Sequence, residues 1–340
     1  KNIKRSNIKL DHMIDVNNHL IEQGRSTKAE LIIGLPGESK ETFINGLNNV
    51  LNSNSASVII YTLMMLHGTE FKNPSYRKEF GYEGKYRIVP LNFGEYDGKR
   101  IFDYEEVGVI TKDMTFNDYL YLRVLALLVE SLHNGKPFNE FFLYAKHYNI
   151  QPATFLKILH DNIKNSSLEI QKLISEFVDE TKNELWDSEE DLLNHYRNDE
   201  NFLKLKNGEV GGNLIYKYKS KNLVENSLAW LDFFKKELYK AILEKQNNIT
   251  NLNQIKLEIE EISKFCKLKI HGLLNPKIET SSVKSNFKYD ILKWIDNYDE
   301  KKNLSNYKFR HNENFVFEYT NDQLSARNDV FKRYGTSINA

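Results

Sequence analysis

The run Ala29-Glu30-Leu31-Ile32-Ile33-Gly34 narrows most what this chain can fold into. Three consecutive large apolar residues, followed at once by Gly34-Leu35-Pro36-Gly37, suit a strand buried on both faces, and strands of that kind belong to parallel sheets. The surrounding pattern agrees. Leu10, Met13, Ile14 and Ile21 recur at helical spacing ahead of it, with Gly24 placed as a C-cap. Behind it, Ser39 is positioned to cap a helix with Glu41 in the first turn and Phe43, Leu47, Val50 and Leu51 as the buried stripe. A second strand, Val58 to Leu63, comes next. Helix, strand, helix, strand is the order of a parallel α/β sheet or barrel. Two such strands leave edges and apolar faces uncovered, so this reading requires further strands, from the rest of the chain or from a segment ahead of Lys1.

From His67 to Asp113 the chain is rich in Tyr, Gly and charge, and Tyr86-Arg87-Ile88-Val89-Pro90 and Ile101 to Thr111 read as short strands or extended loops. Beyond Thr115 the pattern turns helical. Phe116, Tyr119, Leu120, Val124, Leu127, Leu128 and Leu132 mark one long amphipathic helix closed by Asn134-Gly135. Phe138 to His147, Thr154 to Ile163, Leu168 to Val178 and Leu223 to Leu243 continue in the same manner, while Asn213 to Tyr218 reads as a strand. Glu279 to Ser285 is loop-like, with small peripheral elements at Phe287 to Tyr298 and Tyr307 to Tyr319. The expected division is a partial barrel over residues 1–80, a connector with short strands over 81–114, a mainly helical domain over 115–275 and peripheral elements over 276–340.

Composition bounds the function. Lys plus Arg and Asp plus Glu are equal at 47 each, so the chain carries no overall field to draw phosphate backbones or anionic membranes, and neither nucleic acid nor a membrane is an expected partner. The longest apolar run, Ala56 to Leu66, is broken by Ser57 and Thr62 and is too short to cross a bilayer; Lys1 to Asn7 leads into no signal-peptide core, so the expected compartment is the cytoplasm. Cys266 is the one cysteine, so the chain makes no internal disulfide and no site needing several thiolates. The nine His residues show no metal-ligand spacing, and no metal site is expected.

Glu30-Leu31-Ile32-Ile33-Gly34-Leu35-Pro36-Gly37-Glu38-Ser39 with Glu41-Thr42-Phe43 resembles the fifth-strand motif of the radical S-adenosylmethionine barrel. Tyr61-Thr62-Leu63-Met64-Met65-Leu66-His67-Gly68-Thr69-Glu70 looks like the sixth strand and its exit loop, with His67 where that family commonly has Pro, and Asn2 to Ile8 is similar to the lead-out of the fourth strand. The tracts from Tyr86 to Pro90, Phe93 to Tyr96, Tyr104 to Val107 and Thr111 to Thr115 look like the connector of the cobalamin-binding subgroup. The fold class this resemblance implies is α/β: the C-terminal part of a radical S-adenosylmethionine, TIM-like barrel followed by a mainly helical domain. It also implies a parent enzyme that cleaves S-adenosylmethionine reductively at a [4Fe-4S] cluster and modifies an unactivated carbon of a small-molecule substrate, with cobalamin available for methyl transfer. One cysteine does not supply the cluster. The expectation for this chain is therefore an inactive portion without cofactors of its own, partnered by an upstream barrel and cobalamin-binding segment in cis or on a separate chain. Two alternatives stand beside it: a noncatalytic interaction or scaffold module, and one half of a split enzyme.

For individual residues, the resemblance implies cofactor contact at Ile33, Gly34, Leu35, Met64 and Leu66 in the parent, and a place at the site mouth for His67, Tyr86 and Arg87. No catalytic residue is assigned. Each residue also has a plainer reading: Gly34, Pro36 and Gly37 as a turn, Glu38 as a carboxylate favoured by the neighbouring helix end, the Met64-Met65-Leu66 run as core, His67 as a loop histidine, Arg87 paired with Glu95, Glu105 or Glu106, and Cys266 as a small buried residue.

Overall fold

The computed structural model describes residues 9–25, 27–53, 55, 57–245, 251–274, 282–325 and 328. The lead-in at Asn2 to Ile8 and the tract from Glu279 to Ser281 lie outside them. The chain divides into two compact units, one formed by Lys1–Leu127 with Ile174–Lys217, the other by Leu128–Leu173 with Tyr218–Ala340.

The first unit opens with α1 (Leu10–Glu22), β1 (Lys28–Ile33), α2 (Lys40–Leu51) and β2 (Ser57–Thr62). Strands β1 and β2 pair in parallel, with Ile32 opposite Tyr61 and Ile33 opposite Thr62. Ile33, Val58 and Ile60 are buried on one face of the pair. Helix α2 begins with a reciprocal capping box, in which the Ser39 hydroxyl accepts from the Thr42 amide and the Thr42 hydroxyl accepts from the Ser39 amide. Phe43, Ile44, Leu47 and Leu51 are its buried positions.

Beyond β2 the parallel grammar stops. After a 3-10 turn (Glu70–Lys72) and α3 (Pro74–Phe80), the chain makes a long antiparallel hairpin from β3 (Glu83–Tyr96) and β4 (Lys99–Ile110). Strand β4 returns antiparallel beside the residues that continue β2: Met64 bridges Val107, the Gly108 amide donates to the Leu63 carbonyl at 2.9 Å, and the Met65 amide donates to the Glu106 carbonyl at 2.8 Å. The described strands make three two-stranded sheets, β1-β2, β3-β4 and a third in the second unit. The expected partial barrel is therefore corrected. A barrel needs successive parallel strands, whereas among the described residues β1 and β2 pair in parallel with each other alone and the strand that joins the continuation of β2, β4, runs antiparallel to it.

The hairpin packs on later helices of the same unit. Helix α4 (Phe116–Leu128) follows it, then the π-helical turn Val129–His133, α5 (Asn139–His147), α6 (Pro152–Asp161), α7 (Leu168–Asn183), α8 (Glu189–Arg197) and α9 (Asp199–Lys206). Ile88 and Phe102 of the hairpin form a core with Leu192 and Tyr196 of α8 and Phe202 and Leu205 of α9.

The chain continues through α10 (Leu214–Val224), α11 (Ser227–Lys245), α12 (Leu252–Leu274), β5 (Ser282–Tyr289), α13 (Ile291–Asp296) and β6 (Lys308–Glu318). Two local expectations change here. Asn213 to Tyr218 enters helix α10 instead of a strand, because Asn213 serves both roles of a helix start: its side-chain oxygen accepts from the Tyr216 amide and its carbonyl accepts from the Lys217 amide. Ser282 to Ser285, read as loop, belongs to β5, which pairs antiparallel with β6.

In the second unit, His133 closes the π-helical turn with its ring edge-to-face against Phe142 at 5.2 Å and its Nδ1 sealed without a partner. Burial pushes this imidazole down to about 4. The unfolded chain binds the His133 proton from near its ordinary 6.5, so the stability due to the neutral ring is complete above that value and is lost as pH falls toward 4. Glu38 works in the opposite sense over an overlapping window, so the readout is a difference. Relative to His133→Phe, wild type should lose about 3 kcal/mol between pH 6.5 and 4 in urea unfolding. Parallel pH dependence in the two proteins would show that the ring titrates freely.

Candidate functional site

Ligands of α/β folds bind at the C-terminal end of parallel strands, and in this chain that end is closed. Gly34 adopts a positive φ of 98°, as a turn directly after β1 requires. A side chain here would meet the Gly108 carbonyl at 3.1 Å and Leu63 Cβ at 3.5 Å, so the space over Gly34 is filled by β4 and by the end of β2. The Tyr82 hydroxyl donates to the Gly34 carbonyl at 2.8 Å. Ile33 is fully buried, and Leu35 packs against Leu63, Met65, Phe80 and Tyr82. Beside this cluster, burial pushes the Glu38 carboxyl up to about 7.

Met64 and Leu66 turn outward where Leu63 and Met65 turn in, and are 46% and 52% exposed. His67 is exposed in the following loop. The open hollow beyond it, about 810 Å³, is lined by Gly68, Thr69, Glu70, Phe71, Asn73, Pro74 and Tyr76. Its one hydroxyl on a small side chain, that of Thr69, donates to the Leu66 carbonyl at 2.6 Å.

Tyr86 and Arg87 belong to the other cluster of this unit. Tyr86 exchanges two backbone hydrogen bonds of 2.8 Å with Trp186. Arg87 donates through Nε to Glu105 at 2.7 Å and through Nη1 to Glu184 at 3.0 Å. Its pKa is raised because the two carboxylates and Tyr119 outweigh a large burial effect in the opposite direction. Of the two readings open for Arg87, the pairing with Glu105 is the one observed, with Glu184 as a partner that sequence distance concealed. Cys266 is fully buried and its thiol donates to Glu140 Oε2 at 3.0 Å; burial pushes it up, which leaves an unreactive thiol.

The residues reading outward are on the parallel pair itself. The Leu63 amide bonds the Ile33 carbonyl, so Ile33, and by alternation Leu31 and Ala29, direct their backbone groups toward β2. Lys28, Glu30 and Ile32 therefore direct theirs away from it. Among the described residues β1 pairs with no strand but β2. On the face holding Glu30 and Ile32, Ile59 is partly exposed and Tyr61 is 46% exposed, with Glu30 beside its hydroxyl. An open row of donors and acceptors next to exposed apolar side chains can take up a strand.

The reading of the chain as part of a radical S-adenosylmethionine enzyme is corrected as well. The chain lacks the cysteines for a [4Fe-4S] cluster, and no group of three or more His, Cys, Asp or Glu among the described residues is placed to hold a metal ion. With no barrel among the described residues either, the resemblance to a radical S-adenosylmethionine enzyme, with its iron-sulfur, cobalamin and methyl-transfer chemistry, does not stand. No helix among the described residues is long and apolar enough to cross a membrane. Neither protein-family models nor curated proteins provide a match to the chain.

Proposed function

We propose that the chain is a noncatalytic interaction module whose β1 edge takes up an extended segment of a partner polypeptide. The observation that carries this reading is the coincidence of outward backbone groups at Lys28, Glu30 and Ile32 on β1 with the exposed side chains of Tyr61 on β2 and of Met64 and Leu66 just past its end. Strand addition uses those two features in different ways: the backbone provides affinity, and pockets between alternate side chains provide selectivity. We place the encounter in the cytoplasm, a compartment suited to a chain whose single cysteine forms no disulfide.

Proline separates the two edges of β1. At Glu30 it removes an amide directed away from β2, as edge strands tolerate; at Leu31 it removes an amide of the β1-β2 ladder. Glu30→Pro is expected to retain the folded circular dichroism spectrum and lose partner binding, whereas Leu31→Pro loses about 3 kcal/mol or more of stability. The partner is sought with a photoreactive residue at Met64 in the native host, its adduct identified by mass spectrometry and the binding repeated with purified proteins. A discrete partner that binds Glu30→Pro as well as wild type would rule out pairing at this edge. Hydrogen exchange provides a second check on the isolated chain: the amides of Glu30 and Ile32 should exchange far faster than those of Leu31 and Ile33. Equal protection of all four would mean that the edge is already covered.

A further inference from the structure

Arg123 lies in the middle of α4 and is 6% exposed. Among the described residues its guanidinium has neither an ion pair nor a hydrogen bond, and Nε is sealed from solvent without an acceptor. The ring of Phe177 on α7, 5.8 Å from the guanidinium carbon, is the contact found for it. One helical turn earlier, Tyr119 is fully buried and its hydroxyl also lacks a hydrogen-bond partner. Nearby carboxylates on and just after α7 are engaged elsewhere: Glu184 accepts from Arg87 at 3.0 Å, and Glu180 holds Lys217 through both oxygens at 2.9 and 2.8 Å.

A buried charge without a partner is strongly disfavoured, because it has given up its hydration and gained nothing in exchange. Lysine or histidine in such a place can escape by releasing a proton, but arginine keeps its charge at any pH the fold survives. The remaining way to offset the charge is a bound anion. With Nε enclosed, the two terminal nitrogens are the ones an anion reaches, and their paired N–H groups match two oxygens of a carboxylate or phosphate.

We propose that Arg123 forms a binding site for an oxyanion, the carboxylate or phosphate group of a small ligand, which accepts from the terminal guanidinium nitrogens. The site is separate from the β1 edge and does not depend on the interaction reading.

Inorganic phosphate and acetate serve as probes, each titrated into the full chain at pH 7 and constant ionic strength while the thermal midpoint is followed. At least one should raise the midpoint saturably, phosphate alone indicating a phosphate-bearing ligand and acetate alone a carboxylate-bearing one. In Arg123→Met the dissociation constant should rise at least about tenfold, equivalent to 1.4 kcal/mol. Without either probe, Arg123→Met should be at least as stable as wild type, since it exchanges an uncompensated charge for an apolar chain of similar length. Three results overturn the proposal: no saturable shift with either probe, an unchanged shift in Arg123→Met, or an Arg123→Met protein that is destabilised or unfolded without them.

Discussion

Phe234→Ala should cost about 4 kcal/mol of stability, the largest loss expected from any single truncation in the second unit. The side chain is fully buried on α11, and its ring is the meeting point of an aromatic cluster. Phe138 stacks on it at 4.9 Å, Phe141 and Phe155 meet it edge-on at 5.3 Å each, Phe142 at 5.8 Å and Trp230 at 6.5 Å. These neighbours come from α5, α6 and α11 and from the residue ahead of α5, so one ring ties several segments together. Truncation removes the ring's transfer energy and leaves a cavity whose walls are rigid aromatics, which collapse poorly; the lost edge-to-face contacts add to both. A truncation to alanine at an exposed helical position, Leu203→Ala, should change stability by no more than about 0.5 kcal/mol. Urea unfolding of the two variants beside wild type provides the comparison, and a Phe234→Ala loss below about 1 kcal/mol would mean that the cluster repacks freely.

Sequence patterns report local geometry well because their causes are local. The apolar run at Leu31-Ile32-Ile33, the turn at Gly34 and the Ser39 cap each act within a few residues, and β1, α2 and β2 lie where those signals place them. The same signals do not say how many neighbours a strand will have. A β-turn-α unit reads alike in a closed barrel and in a lone parallel pair, and the difference here is made by β4, whose Gly108 follows Leu63 by more than forty positions and brings no side chain to the contact. The alternation of Leu214, Tyr216 and Tyr218 is likewise ambiguous, since β propensity points one way and the Asn213 cap decides the other. The amphipathic pattern of α4 predicts a wet face, yet the helix is buried on nearly all sides, and Arg123 is buried with it. A signal for that was available: the positions three and four away from Arg123 are Leu120, Tyr119, Ala126 and Leu127, so no carboxylate on its own helix can reach it. For the outward edge of β1, the alternation of a parallel strand was legible once its partner was known, and the partner follows from coordinates alone.

Gly84→Ala tests the joint that holds β4 at the end of the parallel pair. A Cβ at Gly84 would stand 2.1 Å from Oε1 of Glu106 and 2.7 Å from its Cδ and Cγ. A flexible carboxylate at the surface would swing aside, but this one is 3% exposed and is held by Lys72 from the 3-10 turn and by Arg77 from α3 at 2.8 Å. Moving it separates a buried charge from two cations, and breaking a buried pair costs about 3–5 kcal/mol. Gly46→Ala is the contrasting case: nothing lies within 4 Å of the added carbon in the middle of α2, so the exchange should stabilise by about 0.5–1 kcal/mol through helix propensity. The backbone of Glu106 also accepts from the Met65 amide, and Gly108 donates to Leu63 two residues further on. If the carboxylate anchors this junction, the Met65 and Gly108 amides should lose hydrogen-exchange protection in Gly84→Ala by more than the amides of α2 do. A stability loss under about 1 kcal/mol, or protection lost evenly throughout the first unit, would show that Glu106 is dispensable to the seal over Gly34.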